Sequence, residues 1–334
     1  MLKSNELKLL LRVQDEPCIT ISDIQTHTIL MKNSVKFMDE LKKSYLVWSS
    51  GEKWVDIPKK IVLSTPNIKG DFRVMPCMTN INGGIKTVKV IGTNEENRYI
   101  KDKISVGKLL LVDWYDNYVY AIIDACILSS FRTAAISVLA YSIKSNKIHS
   151  VGLIGLGRVG IYTAFLLHKW LGVNSIICND KNPKIIQNFK KLISVYAPDL
   201  KIIIQDNIDL IKSSNSLFLA TDSQNHLLDN SNSTNLSFIS SVGADANNLC
   251  ELDESVVSNK MIITDSLQSM LLGDMKVWVE KGVISNKDVS ELKHIITDSL
   301  DNQDVVFIST GVALQDALIA KFIYEKYSEN ENNA

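Results

Sequence analysis

Residues 149–180 read HSVGLIGLGRVGIYTAFLLHKWLGVNSIICND, and their order decides the fold. Residues 150–154 form a short apolar run that reads as a buried strand. Gly155-Leu-Gly157-Arg158-Val159-Gly160 follows at once. Val159, Tyr162, Leu166 and Trp170 then recur at helical spacing, one face of a helix. A second apolar run, 175–178, ends at Asn179-Asp180. Strand, glycine turn, helix, strand and terminal acid are the context of a dinucleotide fingerprint. Gly155 permits the sharp turn, Gly157 leaves room for a pyrophosphate, and Gly160 lets the helix pack close. The helix N-terminus adds free N–H groups and partial positive charge. Asp180, twenty-five residues after Gly155, suits a ribose diol and disfavours a 2′-phosphate, so NAD is expected over NADP. Lys181 and Lys184 follow and soften that preference.

Outward from this unit, the pattern predicts an α/β protein. Candidate strands at 201–204, 217–220, 238–242, 261–264 and 305–309 alternate with helical stretches, among them the face of Ile185, Phe189, Leu192 and Tyr196. A doubly wound parallel sheet is expected over 130–309. Before it, residues 19–24 read as a strand entering a helix capped by Ser22, which continues to about Ser49. Short alternating runs over 50–123 predict a mainly antiparallel sheet. Residues 124–145, without glycine, predict a connecting helix. Gly311 opens a last helix expected to return to the first domain, and the polar tail 328–334 is expected to be disordered. The reading is a smaller discontinuous α+β domain (1–129 with 310–334) for substrate and dimerisation, and a Rossmann domain (130–309).

The totals narrow the function. The 334 residues carry 36 Lys and Arg against 37 Asp and Glu, and no basic stripe points to nucleic acid. No apolar run is read as long enough to span a membrane, and no signal peptide is seen, so a cytoplasmic protein is expected. Five cysteines without a CxxC and five scattered histidines predict neither disulfides nor a bound metal.

Three places outside the glycine turn invite chemistry. In GGIKTVKVIG, strand alternation puts Lys86 and Lys89 on opposite faces, so only one can face a cleft. A solvated edge lysine is the plain alternative. Arg132 sits among small and apolar residues in SSFRTAA, where burial requires an anion. That anion is a substrate carboxylate or an internal partner, Asp124 or Asp316. Asp245 follows the 238–242 strand, at the sheet edge where nucleotide folds place their chemistry. It reads as an acid–base group, a water orienter or a turn residue.

Together these stretches resemble the ornithine cyclodeaminase/mu-crystallin family. The resemblance spans Met75-Pro76, the lysine strand, DACILSSFRTAA, GLGRVG, Asp180, Ala220-Thr221, SVGAD with ELD at 251–253, and STGVALQD at 309–316. It implies a homodimer pairing the sheets of its first domains, with NAD held by Thr133, Gly155, Gly157, Arg158, Val159, Gly160, Asp180, Ala220, Thr221, Val242 and Gly243. It also implies that Lys89 and Arg132 bind an amino acid's α-carboxylate and that Asp245 handles protons or water. Lys89 is preferred over Lys86 for its eight-residue interval to Asn97. Lys60 stands where the family usually has arginine, keeping charge but not the fork. Arg73 replaces a glutamate that ornithine cyclodeaminases tend to carry, and residues 247–249 are Asn-Asn-Leu in place of the family's frequent Pro-Gly-Lys. Both departures disfavour ornithine, and Arg73 suggests an additional substrate carboxylate. GLGRVG, the SSFRTAAISVLA helix and KFIYEKY look closer to the branch that oxidises N-(2-amino-2-carboxyethyl)-L-glutamate to form 2,3-diaminopropionate. Ornithine or lysine cyclodeamination, imine reduction and a crystallin-like NAD(P)H-binding protein are the alternatives.

Overall fold

The computed structural model describes residues 3–65, 67–93, 105–144, 150–246 and 249–331. The strands form two separate sheets. The first has seven strands: β1 (Ile19–Ile21), β2 (Val55–Asp56), β3 (Ile61–Thr65), β4 (Ile68–Thr79), β5 (Ile85–Thr93), β6 (Ser105–Val112) and β7 (Val119–Asp124). Its order is β1-β7-β6-β5-β4-β2, with β3 also on β4. All pairs are antiparallel except β1 on β7, a parallel edge that the alternation of 50–123 alone does not announce.

Three helices fall in this first part of the chain. Helix α1 (Ser4–Leu11), which the sequence leaves unassigned, buries none of its residues and so has no core pattern to read. Helix α2 (Asp23–Ser50) opens on the expected Ser22, whose side chain and that of Gln25 cap each other's backbone N–H groups. Helix α3 (Ala125–Ser142) packs on α2 and on the first sheet. By length and composition it would pass for a membrane span, correcting the expectation that no such run exists. Yet 78% of its window is buried inside the protein, so its apolar character comes from being a core helix covered on nearly every side.

The second sheet is wholly parallel: β8 (Val151–Ile154), β9 (Ser175–Asn179), β10 (Lys201–Ile204), β11 (Ser216–Leu219), β12 (Phe238–Ser241), β13 (Met261–Thr264), β14 (Val289–Glu291) and β15 (Val305–Ile308), ordered β10-β9-β8-β11-β12-β15-β13-β14. The central strands β8, β11, β12 and β15 are buried at every position, as sheets covered on both faces require. The covering helices include α4 (Arg158–Leu171), α5 (Pro183–Tyr196), α6 (Asn207–Ser213), α7 (Gly273–Glu280) and α8 (Leu292–Ile295). β8 is flanked by β9 on one side and β11 on the other, so the winding reverses there and a crevice opens at the carboxyl ends.

Helix α9 (Ala313–Glu331) returns to pack on α2, α3, β4 and β5. It continues through Ser328, Glu329, Asn330 and Glu331, so the polar tail is helical rather than disordered up to Glu331. Its amphipathic pairs Lys321–Glu325 and Lys326–Glu329 stitch that last stretch. The aromatic contacts Phe37–Phe131, Phe37–Phe322 and Phe131–Tyr162 run from α2 through α3 into α9 and α4. One core therefore continues from one sheet to the other and fixes the cleft between them.

Candidate active site

The cleft holds a cavity of about 630 Å³ lined from both sheets. On the parallel-sheet side the wall is backbone. Gly155 adopts φ +93°, and a Cβ there would stand 2.4 Å from the Ala220 carbonyl oxygen. Its N–H donates to Asn179 O at 3.0 Å, which ties the turn to β9. Gly157 is different: a Cβ would meet nothing within 4 Å, because it faces the open cavity. Gly160 does not line the cavity. A side chain there would begin 2.0 Å from the Gly155 carbonyl oxygen, so it serves the packing of α4 beneath the turn. Asp180 accepts from the Leu156 N–H and the Asn182 N–H, each at 2.8 Å, and still faces the cavity. Arg158, Val159, Thr133, Ala220, Thr221, Val242 and Gly243 complete the expected lining. Lys181 pairs with Asp222 on the surface at 2.7 Å.

Glu251, quoted above only as part of ELD, organises this rim. Fully buried, its carboxylate accepts from Thr221 N–H (2.7 Å), Thr221 Oγ1 (2.8 Å), Ser241 Oγ (2.6 Å) and Gly243 N–H (3.0 Å). One acid thus fixes the turns after β11 and β12. Burial raises its proton affinity, and these donors work against that rise.

The rest of the lining is made of charge. Lys60, Arg73, Lys89, Arg132 and Asp245 all line the same cavity, although they come from five separate stretches. Lys89 lies on the inward face of β5 with Ile85, Thr87 and Ile91, as strand period two dictates. It is 1% exposed and pairs with Asp316 of α9 at 2.6 Å. Lys86 takes the other face of the same strand, which is paired on both sides and so is no edge; half-buried, its ammonium donates to the Trp114 carbonyl and Asn117 Oδ1. Asn97, whose interval was the reason to prefer Lys89, lies outside the described residues, as do Asn247 and Asn248.

Arg132 has one of the internal partners its sequence allowed, Asp316, and also faces the cavity. Its Nε lies 3.2 Å from Asp316 Oδ1 while the side chain lines the cavity. Its guanidinium lies against Gly311, φ +85°, where a Cβ would start 2.4 Å from the nearest nitrogen. Asp124 is engaged elsewhere, by the Asp23 N–H and by Lys108. Lys60 donates to the Thr310 carbonyl at 2.7 Å. The 309–311 turn is held in turn by Asp265, which accepts from Ser309 Oγ, Gly311 N–H and Gln315 Nε2.

Arg73 is already committed. It holds Asp71 on one side (2.6 Å) and Asp245 on the other (2.8 Å), so the extra substrate carboxylate assigned to it would compete with two resident ones. Asp71, two positions earlier on the same strand face, is a partner that alternation could have disclosed. Burial alone would raise Asp245, but Arg73, Lys60 and Arg132 outweigh it and hold its carboxyl below the usual range. Burial pushes Lys89 down to about 7 against the pull of Asp316, and pushes Lys60 down to about 8. Of the cavity's lysines, Lys89 is thus brought nearest neutrality, while Asp245 is held as an anion. Four cations face the carboxylates of Asp71, Asp245 and Asp316, and this surplus of positive charge suits one incoming carboxylate.

A doubly wound sheet whose glycine turn meets a buried cation cluster defines a two-domain enzyme of the Rossmann class. More particularly, the chain belongs to the ornithine cyclodeaminase/mu-crystallin family, whose sequence profile matches residues 18–331. It is 26% identical over 298 residues to an alanine dehydrogenase of Archaeoglobus fulgidus, covering 86% of this chain and 89% of that one. In structure it is similar to the Thermococcus litoralis Δ1-pyrroline-2-carboxylate reductase in complex with NADH and L-proline (TM-score 0.82, 21% identity, 93% and 98% coverage). It is also similar to an archaeal alanine dehydrogenase dimer with bound NAD (TM-score 0.79, 22% identity, 93% and 96% coverage).

Proposed function

We propose that this chain is an NAD-dependent oxidoreductase acting at the Cα–N bond of an amino acid, and that its substrate is N-(2-amino-2-carboxyethyl)-L-glutamate. The observation that carries the reaction class is the cation surplus of Lys60, Arg73, Lys89 and Arg132 in the cavity that ends at the glycine turn. The open space at Gly157 and the carboxylate of Asp180 fit a pyrophosphate and an unphosphorylated ribose, so Gly155, Gly157, Arg158, Val159 and Asp180 would hold the dinucleotide. Thr133, Ala220, Thr221, Val242 and Gly243 would border the ring. The bound nicotinamide supplies a two-electron hydride acceptor.

The chain's own residues supply the rest. Arg132 and Lys60 bind the α-carboxylate and so fix the orientation of the neighbouring Cα–H, and positioning of this kind is worth several kcal/mol of barrier. Lys89, with its proton affinity near neutrality, takes the proton from the substrate nitrogen. Asp245, kept ionised by Arg73, orients water toward the oxidised carbon and accepts its hydrogen bond. The balance for the conjugate is one water and one NAD⁺ consumed, with 2-oxoglutarate, 2,3-diaminopropionate, NADH and a proton formed.

The charge pattern disfavours ornithine and lysine. A second ammonium needs an unpartnered acid. Asp245, the cavity-lining carboxylate beside the cation cluster, is already paired with Arg73. The test is to supply NAD⁺ with the conjugate, ornithine, lysine or alanine and follow NADH, ammonia and keto acid. NADH with stoichiometric 2-oxoglutarate from the conjugate is expected. Proline and ammonia from ornithine without net NADH would overturn the substrate, and no turnover of any amino acid or its imine would overturn the reaction class. We also infer a homodimer. β3 is exposed along its whole length, and Ile61, Leu63 and Phe72 offer apolar surface on the first sheet. Sedimentation should give twice the chain mass.

A further inference from the structure

The fold gathers residues that the sequence leaves scattered. His226 follows β11, Cys250 lies beyond β12, and Asp274 is in the first turn of α7. One ligand atom from each lies within 4.8 Å of the other two. We propose that His226, Cys250 and Asp274 form a zinc site behind the rim of the nucleotide cavity.

Three features besides proximity support the assignment. First, the donor set of imidazole, thiol and carboxylate is the borderline-soft mixture that zinc takes, with three protein ligands leaving one position for water. Ligands around tetrahedral zinc stand about 3.3–3.8 Å apart, given bonds of about 2.0–2.3 Å. The remaining closure falls to the exposed His226 ring and the half-buried Cys250. Second, the outer partners are in place. His226 Nδ1 lies 3.3 Å from Asp253 Oδ2, which would leave Nε2 for a metal in the carboxylate–histidine–zinc manner. Asp274 is held by the N–H groups of Glu251 and Leu252, each at 3.1 Å from Oδ2. Third, there is an imbalance of buried charge. Asp274 (3% exposed) and Glu251 (0%) lie side by side, and no cation among the described residues pairs with either. Two adjacent buried carboxylates without a counter-charge are costly, and a divalent cation removes that cost.

The position gives the site a structural task. Leu227 and Leu249, each next to a ligand in sequence, line the cavity. Cys250 N–H donates to the Ser223 carbonyl and Leu227 N–H to the Glu251 carbonyl. A metal would clamp these two segments to α7 and hold the turns that Glu251 positions.

Tag-free protein stripped of metal, without dinucleotide, is titrated with Zn²⁺ against a chromophoric chelator and separately with Co²⁺. One Zn²⁺ per chain is expected, together with a thiolate-to-cobalt absorption band. Cys250→Ser should abolish the band, while Cys18→Ser, at an exposed cysteine remote in sequence, should keep it. His226→Asn should weaken Zn²⁺ binding at least about tenfold, and Asp253→Asn on the order of tenfold through the histidine. Absence of the cobalt band from the unsubstituted protein, or Zn²⁺ binding that survives both Cys250→Ser and His226→Asn, overturns the proposal. Neither result bears on the dinucleotide assignment, since no activity is read.

Discussion

The two walls of the cavity are built on opposite principles. The glycine wall is centred on one continuous stretch, 155–180, joined by the turns after β11 and β12, and works through backbone: turns, close approaches and N–H groups with no side chain in the way. The charged wall comes from Lys60, Arg73, Lys89, Arg132, Asp245 and Asp316, spread over most of the chain, and works through mutual compensation. A backbone wall fails when atoms are added. A charged wall fails when one partner is taken away. Substitutions can therefore separate the two.

The largest effect is expected at Asp316, which lies between Lys89 and Arg132 at 1% exposure. Breaking a buried pair costs about 3–5 kcal/mol. Lys89 can shed its proton once Asp316→Asn removes the anion, so a loss near about 3 kcal/mol is expected in denaturant unfolding. A loss under about 0.5 kcal/mol would show the wall is not held by compensation.

The glycine wall gives the next test, in two parts. Gly155→Ala forces a side chain into φ +93° and against Ala220, and should cost about 1–3 kcal/mol. Gly157→Ala meets open space, so its unfolding free energy should change by no more than about 0.5 kcal/mol while NAD⁺ affinity falls. Equal stability losses in the two variants would break the distinction between a turn glycine and an approach glycine.

A pH profile sharpens the charged side. Lys89 must be neutral to accept a proton, and its affinity is centred near 7. Amine oxidation should therefore fall about tenfold per pH unit below that point, and imine reduction, which needs the protonated form, should fall above it. Lys89→Arg stays protonated and should remove the oxidation limb entirely. An unchanged profile in that variant would return proton transfer to another group. The smallest effect is expected at Lys181→Ala, which breaks only an exposed pair with Asp222 and should change stability by about 0–1 kcal/mol.

Legibility divided along the same line. The glycine turn was readable because dinucleotide geometry restricts residue type at fixed intervals, and β8, β9 and α4 fall where periodicity places them. The charged wall was readable as a set of residues but not as a network. Alternation shows which face Lys89 occupies, but says nothing of Asp316, more than two hundred residues away. Arg73 alone reads as a cation open to a substrate, although Asp71 shares its strand face and Asp245 reaches it from across the cleft. Helix α1 was missed because it buries nothing, and α9 ran past its expected end because salt bridges sustain a helix that composition marks as polar.

What the sequence determined by itself is local and periodic: the strand–turn–helix unit, its glycines, the acid after β9 and the helix caps. These depend on residues a few positions apart, whose relation the backbone fixes. What only the tertiary structure decided is which charges meet, and with that the protonation of Lys89 and Asp245 and the gathering of His226, Cys250 and Asp274. A buried group's affinity for protons depends on what surrounds it in space, and chain order does not encode that distance.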